Sequence, residues 1–204
     1  LFPYTTLFRS LFSDASDVGY GMCAYLRCLH SDGSLKCHLV IGKSRTAPIR
    51  AISVPRLELQ AAVLSVRMYL VLRQELTCNI DKVIFWTDSQ TTLQFIHSES
   101  RRFLPYVAHR VAEIREMTNP EQWRHCPGTV NPADLASRGL LPRKFAAAVQ
   151  WHEGPVYLSQ AEETWPEPIV PAPVAADNIE IKTRSVMAHV YGTHVKGDCL
   201  DDLL

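Results

Sequence analysis

The sequence predicts a mixed α/β fold: a five-stranded sheet, three antiparallel strands and then two parallel ones, with helices on both faces. Three observations predict it. Residues 11–41 hold three strand-like runs separated by turn signals. Residues 55–139 then alternate helical periodicity with two more strand-like runs, as strand–helix–strand crossovers do. Acids close the first and fourth strands, at the sheet edge where such folds place reactive groups.

Each element follows in order. Leu11-Phe12-Ser13-Asp14-Ala15-Ser16 is a central strand with one acid on an apolar run. A carboxylate there is costly unless something pairs with it, and a metal ion does so well. Gly19-Tyr20-Gly21 opens a second strand through Met22 to Leu26, and His30-Ser31-Asp32-Gly33-Ser34 is hairpin punctuation. Leu35, Cys37, Leu39 and Ile41 alternate as a third strand. Pro55 starts a helix, where its missing N–H does no harm. Leu57, Ala61, Leu64, Met68 and Leu72 then recur at helical spacing through Leu76. Asp81 to Asp88 is a buried strand ending on an acid, and Ser89 to His97 a short helix. Pro105 to Met117 is a helix with Val107, Val111 and Ile114 on one face. Glu121 to Cys126 is a fifth strand, stopped by Pro127-Gly128. Asn131-Pro132 caps a last helix that ends at Arg138-Gly139.

Beyond Pro142 the pattern weakens. Phe145 to Trp151 supports a helical turn or two, and Trp165 to Pro173 reads as a Pro-rich linker. Residues 174–204 show no clear period and are expected to be poorly ordered. The predicted organisation is therefore a domain over 11–145 followed by a Pro-rich, acidic, mostly irregular linker over 146–204.

Residues 1–10, LFPYTTLFRS, are the in-frame translation of CTCTTTCCCTACACGACGCTCTTCCGATCT, which resembles a common short-read sequencing adapter. They are read as an artefact and carry no functional weight; the expectation is that the gene continued upstream. A central strand needs about five residues. Only Leu11, Phe12 and Ser13 precede Asp14 on the native side, so the strand is expected to cross the seam through Leu7-Phe8-Arg9-Ser10.

Composition narrows the class. Of 204 residues, 47% are hydrophobic and 21% charged, which suits a globular protein with a real core. No apolar run approaches the roughly 20 residues of a membrane helix, and no secretory signal is visible. The six cysteines form no CxxC pair, so free thiols are expected; His125-Cys126 alone is at most half a zinc site. Net charge is zero, yet residues 11–144 hold 17 basic and 12 acidic side chains (+5), and residues 145–204 hold 3 and 9 (−6). The basic front suits a polyanion weakly.

Four acids are the candidate site: Asp14, Glu58, Asp88 and Asp134. Each has a plain structural reading. Asp14 can end a strand, Glu58 can complement the dipole in a first helical turn, Asp88 can cap a helix, and Asp134 suits the turn after Asn131-Pro132. Together they occupy two strand ends and two helix starts on one edge. Carboxylates that close repel unless cations neutralise them, and hard divalent ions, Mg²⁺ foremost, fit an all-oxygen set. Two such ions make a phosphoryl-transfer arrangement.

Phe12-Ser13-Asp14-Ala15-Ser16, Arg56-Leu57-Glu58-Leu59, Phe85-Trp86-Thr87-Asp88-Ser89 and the run Val130-Asn131-Pro132-Ala133-Asp134-Leu135-Ala136-Ser137-Arg138-Gly139 resemble the ribonuclease H domain of BEL/Pao-type LTR retrotransposon polyproteins. The order and spacing match over about residues 11–140, and Trp151-His152-Glu153-Gly154-Pro155 resembles the segment before integrase. The resemblance implies a ribonuclease H-like fold and an endonuclease that hydrolyses the RNA strand of RNA–DNA hybrids during reverse transcription. It implies Asp14, Glu58, Asp88 and Asp134 as catalytic ligands of two Mg²⁺ ions, with Mn²⁺ as a substitute. It also implies reverse transcriptase and integrase domains as partners in a Pol polyprotein. Action would be in a cytoplasmic virus-like particle, with the nucleus at later stages.

Two departures stand out. Related enzymes carry a mobile histidine in the loop before the last acid, whereas Pro127-Gly128-Thr129-Val130 has none; His125 lies in a strand and reads as a packed residue. The reverse transcriptase and most of the lead-in to the first strand are absent. These motivate an alternative, an inactive connector or decayed element fragment. A strand-transfer enzyme on the same fold needs only three acids, and Asp134 argues against it. Candidate readers of the hybrid's 2′-OH groups are Ser16, Ser89, Gln90 and Arg138, each of which also suits local capping. Arg101-Arg102 reads as a solvated pair able to meet phosphate.

Overall fold

Five strands form one sheet in the order β3-β2-β1-β4-β5. They are β1 (Tyr4–Ala15), β2 (Gly19–His30), β3 (Leu35–Thr46), β4 (Lys82–Thr87) and β5 (Trp123–His125). β1 pairs antiparallel with β2, and β2 with β3; β4 runs parallel to β1, and β5 parallel to β4. This is the predicted arrangement. The coordinates are a computed structural model that describes residues 4–99 and 102–182. Arg101 and the stretch 183–204 lie outside the described residues.

β1 crosses the seam as expected. Phe8 to Ser13 pair in register with Lys82 to Thr87, and Leu7 to Ala15 with Cys28 to Tyr20. Backbone pairing on both sides holds the strand whatever its side chains, because ladder hydrogen bonds use main-chain groups alone.

Three helices cover one face: α1 (Val54–Glu75), α2 (Gln90–His97) and α3 (Pro105–Met117). Their apolar stripes meet Leu11, Met22 and Phe85 of the sheet in one core that includes Leu59, Phe95 and Val111. Prolines stand in the first turns of α1 and α3, where they cost no hydrogen bond.

The opposite face carries α4 (Ala133–Arg138), α5 (Pro142–Ala146) and α6 (Val149–Glu153), then a strap of turns and extended chain through Lys182. Phe12, Tyr25, Ile84 and Trp86 pack there against Trp151, Leu158 and Trp165. The strap was expected to be a linker; its described part is irregular in backbone yet built into the fold. Tyr25 donates its hydroxyl to the Trp151 carbonyl at 2.8 Å. Arg27, itself buried, donates to the carbonyls of Leu158 at 2.8 Å and Gln160 at 3.0 Å. The strap then places Val174 in the core of the helical face and pairs Ile181 with Phe103.

Cys23, Cys28, Cys37, Cys78 and Cys126 are free thiols. Among the described residues no helix is long and apolar enough to cross a membrane.

Candidate active site

The acids collect at the carboxyl ends of the two central parallel strands. Ser13 of β1 pairs with Thr87 of β4, so Asp14 and Asp88 are the next residues along neighbouring strands. Beneath them Phe12 and Trp86 stack with ring centroids 5.9 Å apart, both fully buried, which gives the edge a rigid floor.

Asp14 is only 6% exposed. Its pKa is pushed up to about 7, chiefly by burial, with Asp88 and Asp134 adding repulsion and the Ser137 hydroxyl opposing. Glu58 is also shifted upward, by burial first and by Asp88, against a hydrogen bond from Ser89. Asp88 therefore interacts with both Asp14 and Glu58, and Asp134 with Asp14. All four share one electrostatic neighbourhood.

The fold removes two of the plain readings and keeps a third. Ser89, not Asp88, caps α2: its hydroxyl accepts the Thr92 N–H at 3.1 Å. Asp88 is free of that duty. Glu58 is not in the first turn of α1, because the helix begins at Val54, one residue earlier than expected, and its first turn holds no acid. Asp134 does lie in the first turn of α4.

Each carboxylate has its own donor. Ser137 donates to Asp14, Ser89 to Glu58 at 2.5 Å, Asn131 to Asp88 at 3.2 Å, and Arg138 to Asp134 at 2.5 Å. Among the described residues no three His, Cys, Asp or Glu side chains are gathered tightly enough to cage an ion. In chemistry the acids suit divalent metals, being oxygen donors, partly buried and mutually repelling, although in this arrangement they do not close into a cage. Each donor meets one oxygen of its carboxylate: Asp14 Oδ2, Glu58 Oε2, Asp88 Oδ1 and Asp134 Oδ1.

Three positioning residues escaped the sequence reading. Asn131 is buried; its amide donates to the Ser13 carbonyl at 3.1 Å as well as to Asp88, and its oxygen accepts the Ala133 N–H at 3.1 Å. It ties the ends of β1 and β4 to the start of α4. Ser137 stands three residues after Asp134, on the same helix face, and reaches Asp14. Gly128 lies where a Cβ would meet Asp88 Oδ2 at 2.8 Å, so a side chain there would push the Asp88 carboxylate out of its present position. Close approach also explains Gly21: a Cβ there would strike Ala136 of α4, the helix that brings Asp134 to the sheet.

The four candidate readers divide. Ser16 is buried, donating to the Ser137 carbonyl at 2.9 Å and accepting from the Gly19 N–H, and Ser89 is spent on Glu58 and the cap. Both hold the site together. Gln90 and Arg138 are exposed at its rim. His125 is half-buried and lines a small cavity with Gln90, Leu93 and Ile169 of the strap.

The family model described as the Pao retrotransposon-like RNaseH-like domain matches residues 4–89. That span holds β1 to β4 with Asp14, Glu58 and Asp88, and begins inside the adapter-like decapeptide; Asp134 lies beyond it. No curated protein matches the chain in sequence. Among solved structures, RNase H1 from the archaeon Halobacterium salinarum is 14% identical, with 65% of this chain and 94% of that one covered at a TM-score of 0.40. LC11-RNase H1 in complex with an RNA/DNA hybrid is 12% identical, covering 64% and 93% at 0.42. The N-terminal RNase H domain of rv2228c from Mycobacterium tuberculosis is 11% identical, covering 72% and 97% at 0.39. Likenesses this remote carry no weight for function. Over residues 4–89, somewhat under half of its length, the chain is similar to the Pao retrotransposon-like RNaseH-like domain.

Proposed function

We propose that this chain is the ribonuclease H-like domain of a BEL/Pao-type retrotransposon polyprotein and hydrolyses the RNA strand of RNA–DNA hybrids with divalent metal ions. The observation that carries the reading is the placement of Asp14 and Asp88 at the ends of adjacent parallel strands, with Glu58 and Asp134 in their electrostatic range. Asp14, Glu58, Asp88 and Asp134 would hold Mg²⁺, or Mn²⁺ in its place. Two such ions, when bound, supply an activated water and stabilise the leaving oxygen.

The chain's own groups do the positioning. Asn131 fixes Asp88 to the end of β1, Ser137 orients Asp14, and Ser89 orients Glu58. Gln90 and Arg138, exposed at the rim, face the substrate, and a hybrid is told from duplex DNA by the 2′-OH groups of one strand. Reverse transcriptase and integrase domains of the same polyprotein are its partners, and a cytoplasmic particle is its setting.

The test uses the whole chain, because a fragment ending at 145 would lack Trp151, Leu158 and Trp165 of the core. With Mg²⁺ it should cut a hybrid, and Asp88→Asn should lower the rate at least ~100-fold, the scale on which one lost electrostatic group slows a reaction. Undiminished cutting by the variant would remove Asp88 from the site. An inactive connector is the second reading, favoured by the local pairing of each carboxylate. Calorimetry with no heat of Mg²⁺ binding to the folded protein would decide for it.

A further inference from the structure

The end of the strap meets α1 two residues before Glu58. Arg56 donates from Nε and Nη2 to the two oxygens of Glu180, at 2.6 and 3.0 Å. The Arg56 side chain is 33% exposed and that of Glu180 8%. The Arg56 guanidinium lies 4.9 Å from the Tyr106 ring centroid, and that of Arg110 lies 3.5 Å from the same ring. Arg110 is held in turn by Gln60 Oε1 at 2.6 Å and by the Tyr106 carbonyl at 2.9 Å. A planar guanidinium fork that grips a carboxylate with two bonds grips a phosphate equally well. A second guanidinium across an aromatic ring adds positive potential and a stacking surface.

The strap end lies along the 102–104 segment. Among the described residues its main-chain ties there are the Phe103–Ile181 bridge, the Leu104 N–H to the Glu180 carbonyl at 2.7 Å, and the Lys182 N–H to the Arg102 carbonyl at 2.9 Å. A short terminal segment held at one edge can open without unfolding the rest of a domain. The charge distribution fits as well: the acidic back of the chain lays Glu180 on Arg56, and Glu162 on Lys82 and Arg124 of the basic front.

We propose that Arg56, flanked by Arg110 and Tyr106, is a backbone-phosphate site on the track of a bound nucleic-acid strand, and that Glu180 is a built-in surrogate that fills it until nucleic acid displaces the strap end. This rests on the nucleic-acid partner proposed above. It adds a contact beyond the four acids and a self-blocking device that lowers affinity for short or weakly bound strands.

The experiment measures binding of a labelled short RNA–DNA hybrid by fluorescence anisotropy, with the full chain in EDTA, so that cleavage plays no part. Glu180→Gln should bind roughly three- to tenfold tighter at low salt, and its log–log salt slope should steepen by about one phosphate contact. Arg56→Gln should bind no tighter than wild type, and the double variant should match Arg56→Gln. Unchanged or weaker binding by Glu180→Gln, or equal tightening in the Arg56→Gln background, overturns the inference. If Glu180→Gln does not fold, hydrogen exchange on the wild type decides: hybrid should speed exchange at the Leu104 and Lys182 amides, and slower or unchanged exchange there overturns it. Loss of hybrid cleavage alone counts against the nuclease reading and leaves this result standing; cleavage without the binding effects does the reverse.

Discussion

One face of the sheet is closed by α1, α2 and α3, whose apolar stripes fill a continuous core with Leu11, Met22 and Phe85. The other is closed by short helices and a strap, in which Trp151, Leu158 and Trp165 plug against Phe12, Tyr25 and Trp86. The helical face satisfies its main chain within the helices. The internal hydrogen bonds of the strap are short-range turns that do not tie it to the sheet, and the sheet supplies those ties: Tyr25 and Arg27 reach out to the carbonyls of residues 150, 151, 158 and 160. An irregular cover is stable only if its anchors are large and its backbone is met by side chains from beneath.

The largest effect should come from removing that cover. A chain ending at 148 loses Trp151, Leu158, Trp165 and Val174, each fully burying a side chain worth ~1.5–3 kcal/mol. Their sum rivals the whole net stability of a domain, roughly 5–15 kcal/mol. Thermal unfolding followed by circular dichroism should show no cooperative transition. A melting temperature within a few degrees of the full chain would mean that the strap is an ornament and the helical face sufficient.

The same contrast explains what could be read in advance. Strand and helix periods announce β1 to β4 and α1 to α3, because alternation and 3.6-residue spacing are local signals. The strap has neither. Trp151, Leu158 and Trp165 are spaced by their destinations on a sheet whose strands lie far earlier in the chain, and nothing local to Tyr25 or Arg27 announces the carbonyls they meet. In the site, the acids stood out because a carboxylate ending an apolar strand is unusual in itself. Asn131 and Ser137 did not, since their bonds join residues 118 and 123 positions apart. Gly128 is legible only once Asp88 is seen against it.

The helical face buries a few polar groups without partners, and replacing the largest of them should give the next largest effect. Arg9 is 2% exposed beneath α1, its guanidinium 5.8 Å from the Tyr69 ring centroid and 3.4 Å from the Leu72 carbonyl. Its Nε has no hydrogen-bond partner among the described residues, and neither does the Ser10 hydroxyl. Both residues come from the adapter-like decapeptide, whereas Leu11 and Phe12, next on the same strand, are fully buried hydrocarbon. Arg9→Leu should raise stability by ~2–4 kcal/mol in denaturant unfolding, as replacing buried charge with packed hydrocarbon does. A loss of stability would show that the guanidinium is paid for by its neighbours and that this face is not purely hydrophobic in its logic.

The smallest effect lies at the edge where the two faces meet. Asp14 has an ordinary carboxyl value of 3.8 raised to about 7, mainly by burial. Between those two values the folded chain holds a proton that the unfolded chain has released. Stability from this group is therefore fully present below pH 3.8, falls as pH rises, and is lost above about 7. Asparagine carries no charge and keeps an oxygen to accept the Ser137 hydroxyl. In EDTA at pH 8, Asp14→Asn should be more stable than wild type by ~1–2 kcal/mol, a fraction of the full linkage because solvent reaches one side of the site. At pH 3.5 the two should unfold together. Equal stability at pH 8 would mean that the carboxylate is already neutralised by the protein, which would leave a metal ion little to relieve. A gain confined to high pH would instead locate the strain at the strand ends, independent of which kind of cover lies above or below them.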